Sequence, residues 1–393
     1  MARIGIFGGS FDPPHIGHIR AAQAAADALR LEKLLLVPAS QPPHKRLSSA
    51  APAPHQRLQM LQLATDHDPR MEVSDLELNR GGTSYTIDTV QQVRAMHPDA
   101  ELFLLMGSDM FLSFRAWKDP DKILEEATLA VFYRGGREEK QAVERCKAEM
   151  ESAGHRVVLV ENPVREISST QLRRLLAFQC FDEFLPQGVG EYILRHGLYH
   201  VNADWKNLPM EQLEQVVISL LKPNRVAHVL GCRDTAVALA KHWGVDENDA
   251  ARAGLLHDIT KALDGPLQLT LCRCYGRVLD DFSLRYPKTL HALTGSLVAQ
   301  QIFGENEAVV SAIECHTTGK AAMNMLEKII YVADYMEPNR DFPGVEELRH
   351  LAFSDMDAAL RCGLKQTLAH LNRQGAEVSP ASREALEYLG VTL

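Results

Sequence analysis

The chain has 393 residues, of which 46% are hydrophobic, so it is long and apolar enough for two domains, each with its own core. Its formal net charge of -9 argues against binding to nucleic acid or to an anionic membrane, because such binding depends on clustered lysine and arginine. No uninterrupted apolar stretch of about 18 residues predicts a membrane span, and the N-terminal residues lack a signal-peptide pattern. We therefore expect a cytoplasmic protein with nucleotide or other small-molecule partners.

The first half of the chain alternates apolar segments with helical ones. Strands are predicted at RIGIF, KLLLVPA, ELFLLMG, ATLAVFY and HRVVLVEN, and helices around 16–30, 55–67, 84–97 and 138–152. Strands that alternate with helices form a doubly wound parallel sheet. We therefore predict a Rossmann-like α/β domain over residues 1–202.

The pattern changes at ADWKNLPMEQ, which we interpret as a linker over residues 203–212. Strand-like segments disappear after it, whereas helical periodicity continues. Residues 213–393 are therefore predicted to form a second domain that is all α-helical.

A glycine-rich turn follows the first predicted strand, in the sequence GIFGGSFDPPHIGHIR. Gly8 and Gly9 let the backbone approach a ligand closely, and the helix that follows presents unpaired amide groups to phosphate. His15 and His18 lie three residues apart, so one helical turn can direct both imidazoles at the same phosphates. Taken alone, the segment is also consistent with a tight turn that carries two surface histidines.

A second motif, ISSTQLRRLL, places hydroxyl groups at the start of another predicted helix. Ser168, Ser169 and Thr170 precede Arg173 by about one turn, and hydroxyls, free amides and a guanidinium together suit an anion. A serine-capped amphipathic helix with solvated arginines is the plain alternative. Because both motifs occur in one α/β domain, they predict a nucleotide site.

In order and spacing, these motifs resemble the nucleotidyltransferase superfamily with the HxGH signature, and within it the bacterial nicotinate mononucleotide adenylyltransferases. The resemblance covers about residues 1–200 and includes PPHKR, GGTSYTIDT, GSDMFLSFRAWK and VFYR. It implies that the phosphate of nicotinate mononucleotide attacks the α-phosphorus of ATP, which brings Mg²⁺ with it. The implied products are deamido-NAD and pyrophosphate, formed without a covalent protein intermediate.

The resemblance also implies roles for individual residues. His15 and His18 would be catalytic and would bind ATP together with Gly8, Gly9, Ser10, Phe11, Asp109, Ser168, Ser169, Thr170 and Arg173. Nicotinate mononucleotide would be bound by Asp12, Lys45, Tyr85, Thr86, Trp117 and Lys118. Each of these assignments has a plain alternative: a helix cap at Asp109, a core position for Trp117 and solvated charges at the two lysines. The resemblance favours nicotinate over nicotinamide, a choice that the residues alone leave open.

The second half of the chain carries histidines and aspartates inside apolar helical segments. They are His228, His257, Asp258, His291, His316 and Asp334. One such histidine is usually a satisfied core residue, but six polar groups in apolar surroundings cost free energy unless something such as a metal satisfies them. Imidazole and carboxylate without thiolate suit Fe, Mn, Zn or Co, and six such ligands can hold two metals with Asp258 as the bridge.

This arrangement resembles the HD superfamily of metal-dependent phosphohydrolases over about residues 210–370, and most closely the bacterial family that cleaves diadenosine tetraphosphate into two ADP. The resemblance implies two metals, Fe or alternatively Mn, with Asp258 and Lys261 in catalysis and Lys261 and Arg340 on the substrate phosphates. Surface ion pairing is the alternative for both cations. Hydrolysis of a different nucleotide, and nucleotide sensing that regulates the first domain without hydrolysis, also remain open, as does the oligomeric state.

Overall fold

The computed structural model describes residues 1–43, 51–133, 137–161 and 167–391. It divides into two compact units, Met1–Ala203 and Asp204–Leu393. The division falls at the start of the segment 203–212 that we interpreted as a linker. The first helix of the second unit begins at Met210, inside that segment.

A parallel sheet forms the centre of the first unit. Its six strands in the described part of the chain are β1 (Arg3–Gly9), β2 (Lys33–Pro38), β3 (Met71–Val73), β4 (Glu101–Gly107), β5 (Thr128–Tyr133) and β6 (Val157–Glu161). They lie in the order β3-β2-β1-β4-β5-β6, which is that of a doubly wound sheet, so the predicted α/β fold is confirmed. Five strands follow predicted segments, whereas β3 has only three residues and is too short to show a pattern.

Helices cover both faces of this sheet. They are α1 (Ile16–Ala28), α2 (Pro54–Thr65), α3 (Leu76–Arg80), α4 (Thr86–Met96), α5 (Ser108–Leu112), α6 (Pro120–Glu126), α7 (Arg137–Ser152), α8 (Ser169–Ala177) and α9 (Val189–His196). Alternate residues of one strand belong to different apolar clusters: Leu34 and Leu36 to one, Leu35 and Val37 to the other. Because successive side chains of a strand point to opposite faces, this division places a core on each side of the sheet.

The order of the strands reverses between β1 and β4, which pair with each other in parallel. The connection after β1 runs to one side of the sheet and the connection after β4 to the other, which opens a crevice at the carboxyl ends of these two strands. Both strands end at a glycine, Gly9 and Gly107. The fold therefore predicts a ligand site at the position where the first sequence motif lies.

Helices are the regular elements of the second unit over its described residues, with no strand among them, which confirms the predicted all-α fold. Its helices are α10 (Met210–Leu220), α11 (Pro223–Trp243), α12 (Glu247–Leu256), α13 (Gly265–Cys274), α14 (Asp281–Arg285), α15 (His291–Gln301), α16 (Glu307–Cys315), α17 (Met325–Met336), α18 (Val345–Ala352), α19 (Met356–Arg373) and α20 (Pro380–Tyr388). Helix α11 packs against α12 and α17, and α16 packs against α15 and α17. None of the helices in the described ranges is long and apolar enough to cross a membrane.

Candidate active sites

A cavity of about 690 Å³ lies at the carboxyl ends of β1 and β4. Its size is within the range of sites that hold nucleotide-sized ligands. The structure brings most of the predicted residues of the first unit to its wall, namely Gly8, Gly9, Ser10, His15, His18, Tyr85, Thr86, Asp109, Trp117, Lys118, Ser168, Ser169 and Thr170. The two sequence motifs therefore line one cavity, although about 150 residues separate them along the chain.

His15 and His18 fix each other's orientation at the start of α1. Nδ1 of His18 accepts the backbone N–H of His15 at 3.2 Å, and Nδ1 of His15 accepts the backbone N–H of His18 at 3.4 Å. The two rings stack with their centroids 3.6 Å apart. A neutral imidazole that accepts at Nδ1 carries its hydrogen on Nε2. Each ring therefore has an N–H group of the kind that binds a phosphate oxygen.

The start of α8 lies beside the loop that leads into α1. Ser168 caps α8 by accepting the backbone N–H of Gln171 at 3.2 Å. The hydroxyl of Ser169 donates to the carbonyl oxygen of Pro13 at 3.2 Å, which joins the two segments. Both helix N-termini line the cavity, and each contributes backbone amides and a partial positive charge. Together they form a site suited to a polyphosphate.

Gly8 and Gly9 have different roles. A Cβ atom at Gly8 would meet nothing within 4 Å, so the backbone there is open to the cavity and a ligand can approach it closely. A Cβ atom at Gly9 would lie 3.1 Å from the ring of Phe11, which is itself buried. Gly9 therefore serves packing, and Gly8 is the glycine that leaves room for a ligand.

Three predicted residues of this site do not line the cavity. Phe11 is in the core, and the buried carboxylate of Asp12 accepts a hydrogen bond from the hydroxyl of Tyr199 at 2.8 Å. Arg173 donates to the carbonyl oxygen of Asp12 at 2.6 Å. The Arg173 contact holds the glycine-rich turn against α8, and substrate binding by the three residues stays a prediction. Lys45 lies outside the described residues.

An aromatic end of the cavity is formed by Tyr85 and Trp117. The Trp117 ring packs on Phe114, with 5.4 Å between centroids. Nζ of Lys118 lies 4.4 Å from the centre of the Tyr85 ring and 3.5 Å from a carboxylate oxygen of Asp88. Flat rings beside an ammonium group suit an aromatic ligand that carries negative charge.

Arg57 on α2 supports the cavity from behind, and the sequence analysis missed it. Its side chain is fully buried and donates to the carbonyl oxygens of Ser10 and Ala39, each at 2.8 Å. Burial lowers the pKa of Arg57, and the neighbouring Asp12 opposes that shift. Since Ser10 follows β1 and Ala39 follows β2, one guanidinium holds the loops of two strands.

We expect Arg57→Met to lower the free energy of unfolding of the first unit by about 2–4 kcal/mol, because two buried carbonyl groups lose their donor. Calorimetry of the full chain measures this loss. Arg115→Met is the matched control, since Arg115 forms an exposed ion pair with Asp121 and its loss should cost less than about 1 kcal/mol. Equal losses for the two variants would contradict the role given to Arg57.

The six predicted ligands of the second unit converge on one centre. His228 lies on α11, His291 is the first residue of α15, and Asp334 lies on α17. His257 and His316 are the C-terminal caps of α12 and α16, and Asp258 lies in the turn after α12. The sequence analysis placed all six inside helices, whereas four lie at or beyond helix ends. At those positions the side chains reach the centre while the backbone turns away.

Every histidine of this centre has its Nδ1 atom beside an acceptor. Nδ1 lies 2.7 Å from the carbonyl oxygen of residue 254 for His257, 2.7 Å from that of residue 313 for His316, and 3.1 Å from that of residue 288 for His291. For His228 the acceptor is a carboxylate oxygen of Glu337, also at 3.1 Å. These contacts place the ring hydrogen on Nδ1 and leave Nε2 as the atom that could bind a metal, the usual arrangement of metal-ligating histidines.

The two carboxylate oxygens of Asp258 face different histidines. Oδ2 lies 3.6 Å from Nε2 of His228 and 3.6 Å from Nε2 of His257. Oδ1 lies 3.6 Å from Nε2 of His291 and 4.0 Å from Nε2 of His316. Asp334 lies on the first side only, with Oδ1 3.2 Å from Nε2 of His228. One carboxylate therefore joins two groups of ligands, which is the geometry expected of a bridge between two metals.

Burial favours the neutral form of His257, His291 and His316. It lowers the pKa of His257 and of His291 well below the usual value, and it lowers the pKa of His316 to about 4. A neutral imidazole can bind a metal, whereas an imidazolium cannot.

Three cations surround the centre. Nζ of Lys261 lies 2.9 Å from Nε2 of His291, and Nη2 of Arg340 lies 2.7 Å from Oδ1 of Asp334. Arg225, which the sequence analysis did not assign, contacts Oδ2 of Asp258. Its signal was its position three residues before His228, which puts both side chains on one face of a helix. Burial also lowers the pKa of Lys261 to about 8.

The donor set fits divalent metal ions. Two groups of three side chains have ligand atoms within 4.8 Å of one another: His228, His257 and Asp334, and His257, Asp258 and His316. Nitrogen and oxygen donors without sulfur suit Fe, Mn, Co or Zn, and the donors by themselves do not select one of these.

Comparison with known proteins gives a separate match for each unit. The Cytidylyltransferase-like family matches residues 6–175, and the HD domain matches residues 225–339. A probable nicotinate-nucleotide adenylyltransferase of Neisseria meningitidis is 39% identical over 201 residues, which are 51% of this chain and 99% of that protein. One from Thermus thermophilus is 42% identical over 198 residues, 50% of this chain and 99% of that protein.

Two solved structures are also similar to parts of the chain. A predicted HD superfamily hydrolase involved in NAD metabolism from Clostridium acetobutylicum is 38% identical, with a TM-score of 0.45 over 46% of this chain and 97% of that one. The nicotinic acid mononucleotide adenylyltransferase of Plasmodium falciparum is 20% identical, with a TM-score of 0.44 over 51% of this chain and 99% of that one.

Proposed function

The chain belongs to the nicotinate-nucleotide adenylyltransferase family and also carries an HD domain, and from this premise we propose that it is a bifunctional enzyme. The first unit transfers the adenylyl group of ATP to nicotinate mononucleotide. The second unit hydrolyses diadenosine tetraphosphate to two ADP in a metal-dependent reaction. The first activity is supported by the cavity onto which two helix N-termini and two histidines converge, and the second by the six-ligand centre.

Adenylyl transfer depends on position and charge. The phosphate oxygen of the mononucleotide forms a bond to the α-phosphorus of ATP, and the bond from that phosphorus to the oxygen shared with the β-phosphate breaks. Negative charge grows on the departing pyrophosphate, which leaves with Mg²⁺. The Nε2–H groups of His15 and His18 and the amides at the start of α8 are aligned to stabilise that charge, and no side chain has to act as a nucleophile.

In this proposal the nicotinate ring occupies the aromatic end of the cavity. We expect Trp117→Ala to raise the KM for nicotinate mononucleotide about tenfold, because the pyridine ring loses its stacking partner, while the KM for ATP stays nearly unchanged. Steady-state kinetics with each substrate varied in turn measures both constants. Trp117→Phe retains an aromatic face and should recover most of the affinity. A similar rise in both KM values would contradict this placement of the ring.

The hydrolytic site would combine bound metal ions with cationic side chains of the chain. Two divalent metals held by the six ligands would make water a stronger nucleophile and would offset charge on the phosphates. Asp258 would hold both metals at a fixed separation, and the carbonyl acceptors would keep the histidine rings aimed at them. With the carboxylates acting as metal ligands, Arg225, Lys261 and Arg340 would be available to bind substrate phosphates.

A polyphosphate substrate is supported by this concentration of positive charge. Three cationic side chains lie around one centre that also suits two divalent metals, more charge than a single phosphate ester would require. Diadenosine tetraphosphate carries a chain of four phosphates, and cleavage at its middle yields ADP alone. Another nucleotide would yield AMP or inorganic phosphate, and a sensor would bind without turnover.

The test uses the full chain with each substrate in turn. ATP and nicotinate mononucleotide should yield deamido-NAD and pyrophosphate, and nicotinamide mononucleotide should react more slowly. Diadenosine tetraphosphate with Fe²⁺ or Mn²⁺ should yield ADP as the sole nucleotide product on chromatography. Absence of turnover in a preparation that is active in adenylyl transfer would refute the hydrolytic proposal and would favour a sensor.

A further inference from the structure

Glu337 is a buried carboxylate to which the sequence analysis assigned no role. It caps the C-terminus of α17, and its side chain is 1% exposed. Oε1 lies 3.1 Å from Nδ1 of His228, while Oε2 accepts the backbone N–H of Asn339 at 2.7 Å and its side-chain amide at 2.8 Å. A Cβ atom at Gly231 would lie 2.6 Å from Oε2, so the glycine leaves the space that this carboxylate occupies.

The partner of His228 is unlike those of the other three histidines. His257, His291 and His316 each have a backbone carbonyl oxygen beside Nδ1, whereas His228 has an anion. An ionised acceptor strengthens a hydrogen bond relative to a neutral one, although this contact, at 3.1 Å, is no shorter than those of the other three rings. A carboxylate behind a metal-binding imidazole also makes that imidazole a stronger ligand and holds its ring in place.

The opposite side of the centre has a cation instead. Nζ of Lys261 lies 2.9 Å from Nε2 of His291, the atom that would bind the metal there. On the first side Asp334 and Glu337 share one cation, Arg340, which lies 2.7 Å from Oδ1 of Asp334 and 4.0 Å from Oε1 of Glu337. Arg225 contacts the shared Asp258. The two sides therefore differ in charge: a carboxylate lies behind His228, whereas an ammonium group lies beside His291. Both groups favour cation binding on the side of His228.

We propose that Glu337 is a positioning residue that makes the two metal positions unequal. The position formed by His228, His257 and Asp334 holds a divalent cation more tightly than the position formed by His291 and His316. This inference rests on the proposed metal centre. It adds that the two metal positions fill in a fixed order: the cation at the tighter position binds first, and it binds without substrate.

The test counts bound Mn²⁺ rather than activity. The full chain is stripped of metal with a chelator, freed of nucleotide and titrated with Mn²⁺ while the electron paramagnetic resonance signal of the free ion is followed. We expect two ions per chain in two separate steps. Glu337→Gln should weaken the tighter step about 10- to 100-fold and leave the other unchanged. Glu337→Asp should recover part of the affinity, and Glu347→Gln, at an exposed position of α18, should have no effect.

Several results would overturn the inference. Two equal steps in the unaltered protein, or an unchanged tighter step in Glu337→Gln, would overturn it while leaving the metal centre intact. Loss of both steps together with a lower melting temperature of the metal-free variant would assign Glu337 to folding alone. Failure of the unaltered protein to bind Mn²⁺ would overturn the proposed metal centre as well.

Discussion

Asp258→Asn should lower the hydrolysis of diadenosine tetraphosphate about a thousandfold or more and leave adenylyl transfer unchanged. The substitution changes little in size but replaces one carboxylate oxygen with an amide nitrogen, which cannot bind a metal. Since the two oxygens of Asp258 face two different pairs of histidines, no orientation of asparagine serves both. One position therefore loses a ligand and the pair loses its bridge.

The experiment separates this loss from a general failure to fold. Both activities are measured on the same preparation, since every residue proposed for adenylyl transfer lies in the first unit. Metal content falls in Asp258→Asn, whereas Asp281→Asn, at an exposed position of α14, retains both metal and hydrolysis. Hydrolysis that persists in Asp258→Asn with a full complement of metal would remove the bridging role.

Much of both sites could be predicted because their residues occur in short contiguous motifs. The turn at Gly8 and the serines at the start of α8 can each be recognised as anion-binding segments from a few neighbouring residues. The fold then brings the two segments to one cavity. The ligands of the second unit were recognisable for a different reason: polar groups such as His257 lie in apolar segments where they need a partner.

The sequence analysis missed residues whose partners are distant in sequence. It also missed a residue whose position on a helix looked like that of a solvated side chain. Arg57 occupies a helix position at which a solvated arginine is normal, and only the loops that follow β1 and β2 show what it binds. Glu337 lies 109 residues from His228, so its contact depends on how α11 and α17 pack. Phe11 and Asp12 were assigned to the site because they lie in the glycine-rich motif, but their side chains are buried behind the cavity wall. A motif alone does not distinguish a residue of the wall from one behind it.

The second large effect is expected in the first unit. His18→Ala should lower kcat for adenylyl transfer about 100- to 1,000-fold, because a donor aligned with the developing charge is removed. The KM for ATP should change much less, since an interaction made mainly in the transition state lowers kcat and kcat/KM together. Hydrolysis in the second unit should be unaffected.

The histidine pair allows a graded version of this test. Nδ1 of His18 accepts the backbone N–H of His15, while Nε2 carries the hydrogen proposed to meet phosphate. The side-chain amide of glutamine can place an N–H group close to where the Nε2–H of His18 lies, although it lacks the Nδ1 acceptor. His18→Gln should therefore retain a higher kcat than His18→Ala. His67→Ala, at an exposed histidine away from the cavity, controls for the loss of an imidazole. Equal kcat values for His18→Gln and His18→Ala, with unchanged melting temperatures, would mean that the Nε2–H donor is not what His18 contributes.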